Sequence, residues 1–239
     1  MTNPLPLRRY PFENIPNFRE LGGYPAENGG MTRWGVFFRS ARLTFATQEE
    51  LAKLKALGIR TIIDLRMKEE VETRPDAGMD DPELGWRHLS LMGNVNVDPD
   101  LLKRNPDEVP PMSTLYQYML TESPHAFRDL FMMIAERVQM GAVLFHCTAG
   151  KDRTGLTAMF LQAICGVDRL DLIAHYEISH TYNLNFIPDD TTGSHPTNLI
   201  TTLSFLQEKY GGPVAYLRSV GVSENALEII RKAFWQSIA

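Results

Sequence analysis

Apolar positions follow two rhythms along this chain. Leu51, Leu54 and Leu57 recur at helical spacing behind Thr47 and Glu50, and Gly58 follows them. That pattern predicts a helix with a capping box at its start and a glycine stop. Ile59, Ile62 and Ile63 then predict a buried strand that ends at Asp64 and Arg66. Upstream, WGVFF reads as a strand, and Gly22-Gly23 and Asn28-Gly29-Gly30 read as turns between short paired strands. The proline-bearing residues 1–16 are expected to lie extended over the surface. Downstream, KEEVE suits a short helix and WRHLSL another strand. The stretch from Met92 to Pro111 is polar, with four prolines, and predicts a long connection of the kind that often closes over sites.

Helices are predicted over 113–121 and 124–139, the second on the stripe Phe127, Leu130, Phe131, Ile134 and Val138. The run GAVLF predicts a strand. The segment from Thr154 to Cys165 is too apolar to be exposed and predicts a buried helix. Four more helical patterns cover 170–182, 197–209, 214–220 and 224–235, the last capped by Ser223. Strands interleaved with helices place the chain in the α/β class. Its 239 residues suit one domain over 1–239, with 183–239 as a helical extension or lid.

Composition narrows the chemistry. Apolar residues make up 44% and charged residues 22%, ordinary globular values. A formal net charge of -5 argues against a general nucleic-acid binder, but leaves a local anion pocket open. The two cysteines, Cys147 and Cys165, are too few for a disulfide scaffold, and six scattered histidines give poor support for zinc. The N-terminus has no continuous apolar core of a secretion signal, and no stretch is long enough to span a bilayer. A cytoplasmic location is the expectation. A mature secreted form with its signal removed would read the same way. Oligomeric state is not legible.

The chemistry centres on HCTAGKDRTG, His146 to Gly155. It stands between the GAVLF strand and the buried helix. A compact turn there aims backbone N–H groups inward, and the helix start adds positive potential; both favour a thiolate at Cys147. The backbone of Thr148, Ala149, Gly150, Lys151 and Asp152 would bind equatorial phosphoryl oxygens, with Arg153 closing the ring through its planar fork. Phosphorus is then held in line with the sulfur, and Cys147 attacks it to form a phosphocysteine. Thr154 is placed to offer a hydroxyl to that sulfur as it leaves. His146, on the preceding strand, points away and is a supporting residue. Lys151 adds charge near the pocket mouth. The chemistry calls on no metal or cofactor.

Other residues carry two readings each. Asp64 falls at a strand's C-terminal end, where α/β sheets bind ligands, and would serve either as an active-site acid or as half of an Asp-Arg pair. Arg19 and Arg39 would line an anionic pocket or form surface or structural ion pairs. Tyr176, His180 and Tyr182 would touch substrate or simply pack. Cys165 reads as a core residue, and a disulfide to Cys147 on oxidation is the less favoured alternative. A rhodanese-type sulfurtransferase and a non-catalytic phosphoprotein-binding module are the rival functions. HCTAGKDRTG fits phosphate far better than sulfur transfer, and both key catalytic side chains are present, with the binding module kept as the alternative.

These ten residues match the HCX5R signature of the protein tyrosine phosphatase superfamily. NFRELGGY, FRSARL and IIDLRMKEEV resemble its bacterial and fungal subgroup with an AGKDRTG loop. The resemblance runs from about residue 14 to 182, and is looser over the C-terminal helices. It implies a central, mostly parallel sheet flanked by helices. It also implies activity on phosphotyrosine proteins, with phosphoserine, phosphothreonine or phosphoinositide as further substrates. It supports roles for Cys147, Arg153, Lys151 and Asp152. Dual-specificity members often carry their general acid some thirty residues before the cysteine, yet that region here is Tyr116 to Tyr118. Three acids compete instead: Asp152, favoured by the resemblance, then Asp64, then Asp107 on the long connection.

Overall fold

The computed structural model describes residues 7–92, 111–184, 186 and 193–238. Its main sheet has five strands: β1 (Arg19–Glu20), β4 (Phe37–Ser40), β5 (Ile59–Asp64), β6 (Arg87–His88) and β7 (Ala142–His146). Their order is β1-β4-β7-β5-β6, and every pairing is parallel except β1 with β4. The sheet is therefore mostly parallel, as the family resemblance implied. Period-two alternation sorts its side chains. Phe38, Ile62, Ala142 and Leu144 face one core with Leu51 and Leu54 of α1 (Gln48–Ala56). Phe37, Ile63, Val143 and Phe145 face the other core. Both faces are covered, which is why these strands read as near-continuous apolar runs.

The capping box at α1 forms as expected: Glu50 N donates to the Thr47 hydroxyl, and Thr47 N to the Glu50 carboxylate. The short helix α2 (Lys68–Thr73) follows β5. α3 (Met112–Glu122) and α4 (Pro124–Arg137) lead into β7. α5 (Asp152–Ile164) starts directly behind the catalytic-loop candidate and runs through the larger core. Leu156, Met159, Phe160, Leu161 and Ile164 are all buried there, each worth roughly 1.5–3 kcal/mol of apolar burial. That packing fixes the helix start, and so the loop before it.

Past α6 (Arg169–Asn183) come α7 (Pro196–Tyr210), α8 (Pro213–Ser219) and α9 (Glu224–Phe234). They pack on α3 to α6, and Leu199, Leu206, Leu217 and Ile230 join the same core as Phe145.

Three details differ from the sequence reading. WRHLSL pairs only over the two residues of β6, an edge position with a single partner strand. The last helix ends at Phe234. Trp235–Ser237 forms β8, which joins β3 (Gly30–Thr32) and β2 (Pro25–Ala26) in a second antiparallel sheet. The helical periodicity of 224–235 hid that switch. Finally, the N-terminal stretch is not only surface: Ile15 is buried, and Tyr10 and Phe12 pack on Phe18.

Candidate active site

The parallel register aligns the C-terminal ends of three strands: Ser40 and Asp64 both pair with His146. Residues 147–151 leave β7 at that edge and turn into α5. Gly150 makes the turn at φ 65, and a Cβ there would lie 2.2 Å from the Ser40 carbonyl oxygen. Both the dihedral and the space demand glycine.

The loop's carbonyls are turned outward and held. Asn17 Nδ2 donates to Ala149 O and Gly150 O, both at 3.0 Å. Asn183 Nδ2 donates to Ala149 O at 3.0 Å, and Arg39 Nη2 to Gly150 O at 2.7 Å. Arg42 N donates to Thr148 O. A peptide's N–H and C=O point in opposite directions, so clamping the carbonyls outside directs the N–H groups inside. Arg19 supports the clamp, donating to the backbone and side chain of Asn17, to His175 O and to Ser179 Oγ. Arg19 and Arg39 are thus neither surface residues nor pocket lining. They are fully buried beneath the loop.

Cys147 sits in this loop with 2% of its surface exposed. Burial pushes its thiol up, but the charge of Arg153 and the neighbouring Thr154 hydroxyl and N–H outweigh it, so the net shift is downward. Burial pulls Arg39 down to about 10, against the opposing pull of a Cys147 thiolate. The Arg153 fork meets Glu70: Nη1 to Oε2 at 2.5 Å and Nη2 to Oε1 at 3.1 Å. Glu70 also accepts from the Thr148 hydroxyl and from Met67 N. Burial would raise the Glu70 carboxyl, but Arg153 and these donors hold it at about 2. Lys151 is buried at the head of α5, where charge near an open mouth was expected. A depression of about 320 Å³ adjoins the loop and is lined by Arg42, Arg66, Arg74, Glu70 and Thr148.

On the β5 side, Asp64 is fully buried and both its oxygens engage Arg66, at 2.7 to 3.1 Å. Arg66 Nη2 also meets Asp76 Oδ1 at 3.0 Å. His146 Nε2 lies 2.9 Å from Asp76 Oδ2, and its Nδ1 lies 3.2 Å from Cys147 O. Burial would strip the His146 proton, yet Asp76 and Asp64 hold its pKa up at about 9. Asp64, Asp76 and His146 are close enough to hold a metal ion. Their acceptor atoms are already taken by Arg66 and by one another, so the set is a charge-matched network.

Asp152 opens α5, half-buried, and accepts a hydrogen bond from the Tyr116 hydroxyl. Tyr116 is one of the residues that stand where dual-specificity enzymes keep their acid. Asp107 lies outside the described residues. Tyr176 is buried behind the loop, and His180 is exposed. Cys165 ends α5 opposite Cys147, and burial raises its thiol to about 12. A helix of this length spans ~20 Å, far beyond disulfide reach.

Sequence reasoning missed Glu70, Asp76, Asn17 and Asn183. Glu70 sits among the charges of KEEVE and reads there as a solvated face. No local pattern marks the two asparagines, because what they bind is backbone 34 to 133 residues away.

A model of the tyrosine phosphatase family matches residues 10–236. A tyrosine-protein phosphatase of Nostoc commune is 33% identical over 225 residues, covering 84% of this chain and 75% of that one. A sequence from Cupriavidus necator is 30% identical over 177 residues, covering 73% of this chain and 64% of its own. The triple specificity protein phosphatase PtpB of Mycobacterium tuberculosis is 24% identical, over 90% of this chain and 95% of its own length. The clamped loop and this match across nearly the whole sequence agree: the chain belongs to the tyrosine phosphatase family, whose members are phosphoric monoester hydrolases.

Proposed function

We propose that the chain hydrolyses phosphotyrosine in proteins through a phosphocysteine at Cys147. The observation that carries this is the loop itself: a buried thiol, lowered by Arg153 and Thr154, amid N–H groups whose carbonyl partners are all held outside. Phosphate oxygens bind those N–H groups and the Arg153 fork, which Glu70 holds in plane. The Cys147 sulfur attacks phosphorus as the bond to the ester oxygen breaks. Asp152 gives that oxygen its proton. The Asp152 carboxylate then takes a proton from water, which attacks phosphorus, and the sulfur leaves as a thiolate toward the Thr154 hydroxyl. Asp64 has both oxygens on Arg66, and serves to anchor the strand end rather than to move a proton. His146 holds the Cys147 carbonyl.

The relative named a triple specificity phosphatase supports phosphoserine and phosphothreonine as further substrates, with phosphoinositide behind them. The shared core of α7 to α9 with the sheet supports one catalytic domain, with 183–239 as part of its body. No described helix is long and apolar enough to cross a membrane. A cytoplasmic location is our reading. Phosphate release from an aryl phosphate should fall by about 1,000-fold or more in Cys147→Ser. Wild-type enzyme quenched in acid should carry phosphate on Cys147. Undiminished release in the variant would overturn the mechanism and return the rival readings.

A further inference from the structure

Two buried tyrosines stand between Asp152 and the C-terminal helices. Tyr116 of α3 is fully buried, and its hydroxyl donates to Asp152 Oδ1. That same hydroxyl lies 2.7 Å from the hydroxyl of Tyr176 on α6, and the two rings meet edge-on at 86°. Asn198 of α7 lies beside the Tyr176 phenol and opposes the rise that burial gives it. Three helices from outside the loop thus converge on the first residue of α5.

The direction of this chain follows from Asp152. An ionised carboxylate only accepts, so Tyr116 must donate to it. The Tyr116 oxygen then receives the proton of Tyr176, and the Tyr176 oxygen faces the amide of Asn198. Every proton points toward the carboxylate, and such chains polarise one another in one sense. The loop motif makes room for the arrangement. A Cβ on Gly155 would come within 2.9 Å of Tyr176 Cδ2, so the glycine after Arg153-Thr154 is what lets Tyr176 approach.

Resting on the reading of Asp152 as proton donor, we infer that Tyr116 is a positioning residue. Its phenol occupies Oδ1 of Asp152 and leaves Oδ2 as the oxygen that carries the transferred proton. In the step, the Oδ2–H bond breaks as the O–H bond of the departing alcohol forms, and the phenols transfer nothing. Burial, reinforced by the Asp152 charge, pushes the Tyr116 phenol well above its usual value, so it stays protonated and Oδ1 stays an acceptor throughout. Among the described residues, the titratable and charged groups facing Asp152 include Tyr116 from α3, Tyr176 from α6 and Arg39 from β4, with Cys147, Lys151 and Arg153 beside it in the loop.

The test compares phenyl phosphate, a poor leaving group, with 4-nitrophenyl phosphate, a good one. Asp152→Asn should slow phenyl phosphate by about 100-fold and the nitrophenyl ester far less. Tyr116→Phe should slow phenyl phosphate by about tenfold and the nitrophenyl ester by under about threefold. Losing a donor to the carboxylate should move the limb of the kcat profile that reports the general acid to higher pH. Vanadate affinity should hold, because the anion cradle is intact. In the Asp152→Asn background, Tyr116→Phe should add nothing further. Equal losses on both esters with an unmoved profile, or a full additional loss in that background, would overturn the inference. Should Asp152→Asn itself slow both esters equally, the assignment of the proton to Asp152 falls and this inference falls with it. Tyr176→Phe, which cuts the chain one link back, should move the same limb the same way by a smaller amount. It decides the matter where Tyr116→Phe does not fold, and no movement there counts against the proposal.

Discussion

Two clusters of buried charge flank Cys147, and they are built on opposite plans. On the β5 side, Arg66 and His146 are matched by Asp64 and Asp76. On the β1 and β4 side, Arg19 and Arg39 lie fully buried, and among the described residues no carboxylate pairs with either. Burial and mutual repulsion pull Arg19 well below its ordinary value, and burial pulls Arg39 down as well. Matched charges cancel at a distance, so the first cluster shapes the strand ends while projecting little field. The second keeps its positive charge, held by backbone carbonyls, the Asn17 amide oxygen and the Ser179 hydroxyl. It therefore favours an anion in the loop beside it, first thiolate and then phosphate. One cluster is a structural joint. The other is a standing bias toward negative charge, maintained at some cost in stability.

That contrast can be broken from either side. The largest effect is expected from Arg39→Met, which removes the donor to Gly150 O and one unmatched charge. kcat/KM should fall by about 100- to 1,000-fold, and the thiol should need higher pH to react with iodoacetate. Unfolding in urea should show stability unchanged or raised, because a buried charge has gone. An unmoved thiol pKa would remove the electrostatic half of the comparison.

Asp76→Asn should behave in the opposite way. It leaves His146 and Arg66 short of a partner and should cost about 3–5 kcal/mol in urea unfolding. The thiol pKa should barely move. A comparable loss of stability in Arg39→Met would show that the two clusters are alike after all.

The same network sets a pH dependence. His146 has its pKa raised from 6.5 to about 9 in the folded chain. Its contribution is thus complete below about 6.5 and is lost as pH rises through 9, a change on the order of 1–3 kcal/mol. Urea midpoints measured between pH 6 and 10 should follow that decline, and Asp76→Asn should flatten it.

The smallest effect is expected from Glu70→Gln, which belongs to neither cluster. It weakens the hold on the Arg153 fork while leaving both clusters whole. KM should rise about tenfold, equivalent to ~1.4 kcal/mol, with kcat changed by less than about threefold. A larger fall in kcat than rise in KM would recast Glu70 as part of the chemical step.

The sequence made legible what depends on short range. Alternation and helical spacing located the sheet's main strands and most helices, and His146–Gly155 announced a strand, an anion loop and a buried helix. What stayed hidden is contact across the chain. Asn17 and Asn183 bind the same carbonyl from more than a hundred residues apart in sequence, and neither breaks a local pattern. Asp76 lies in a turn-rich stretch where an aspartate is ordinary, yet it holds His146. Arg19 and Arg39 read from the sequence as pocket lining or as ion pairs. Only burial shows that they bind backbone instead of solvent or substrate. β8 escaped because a tryptophan at the end of an apolar stripe suits helix and strand alike.

The length of α5 has a last consequence. It keeps the two sulfurs at opposite ends, one activated and one inert. When peroxide converts Cys147 to its sulfenic acid, no neighbouring thiol in the chain stands ready to cap it. Recovery then depends on a small thiol supplied by the surroundings, and prolonged exposure drives the sulfur on to states that thiols do not reverse. The enzyme's working life in an oxidising setting is set by the redox buffer around it.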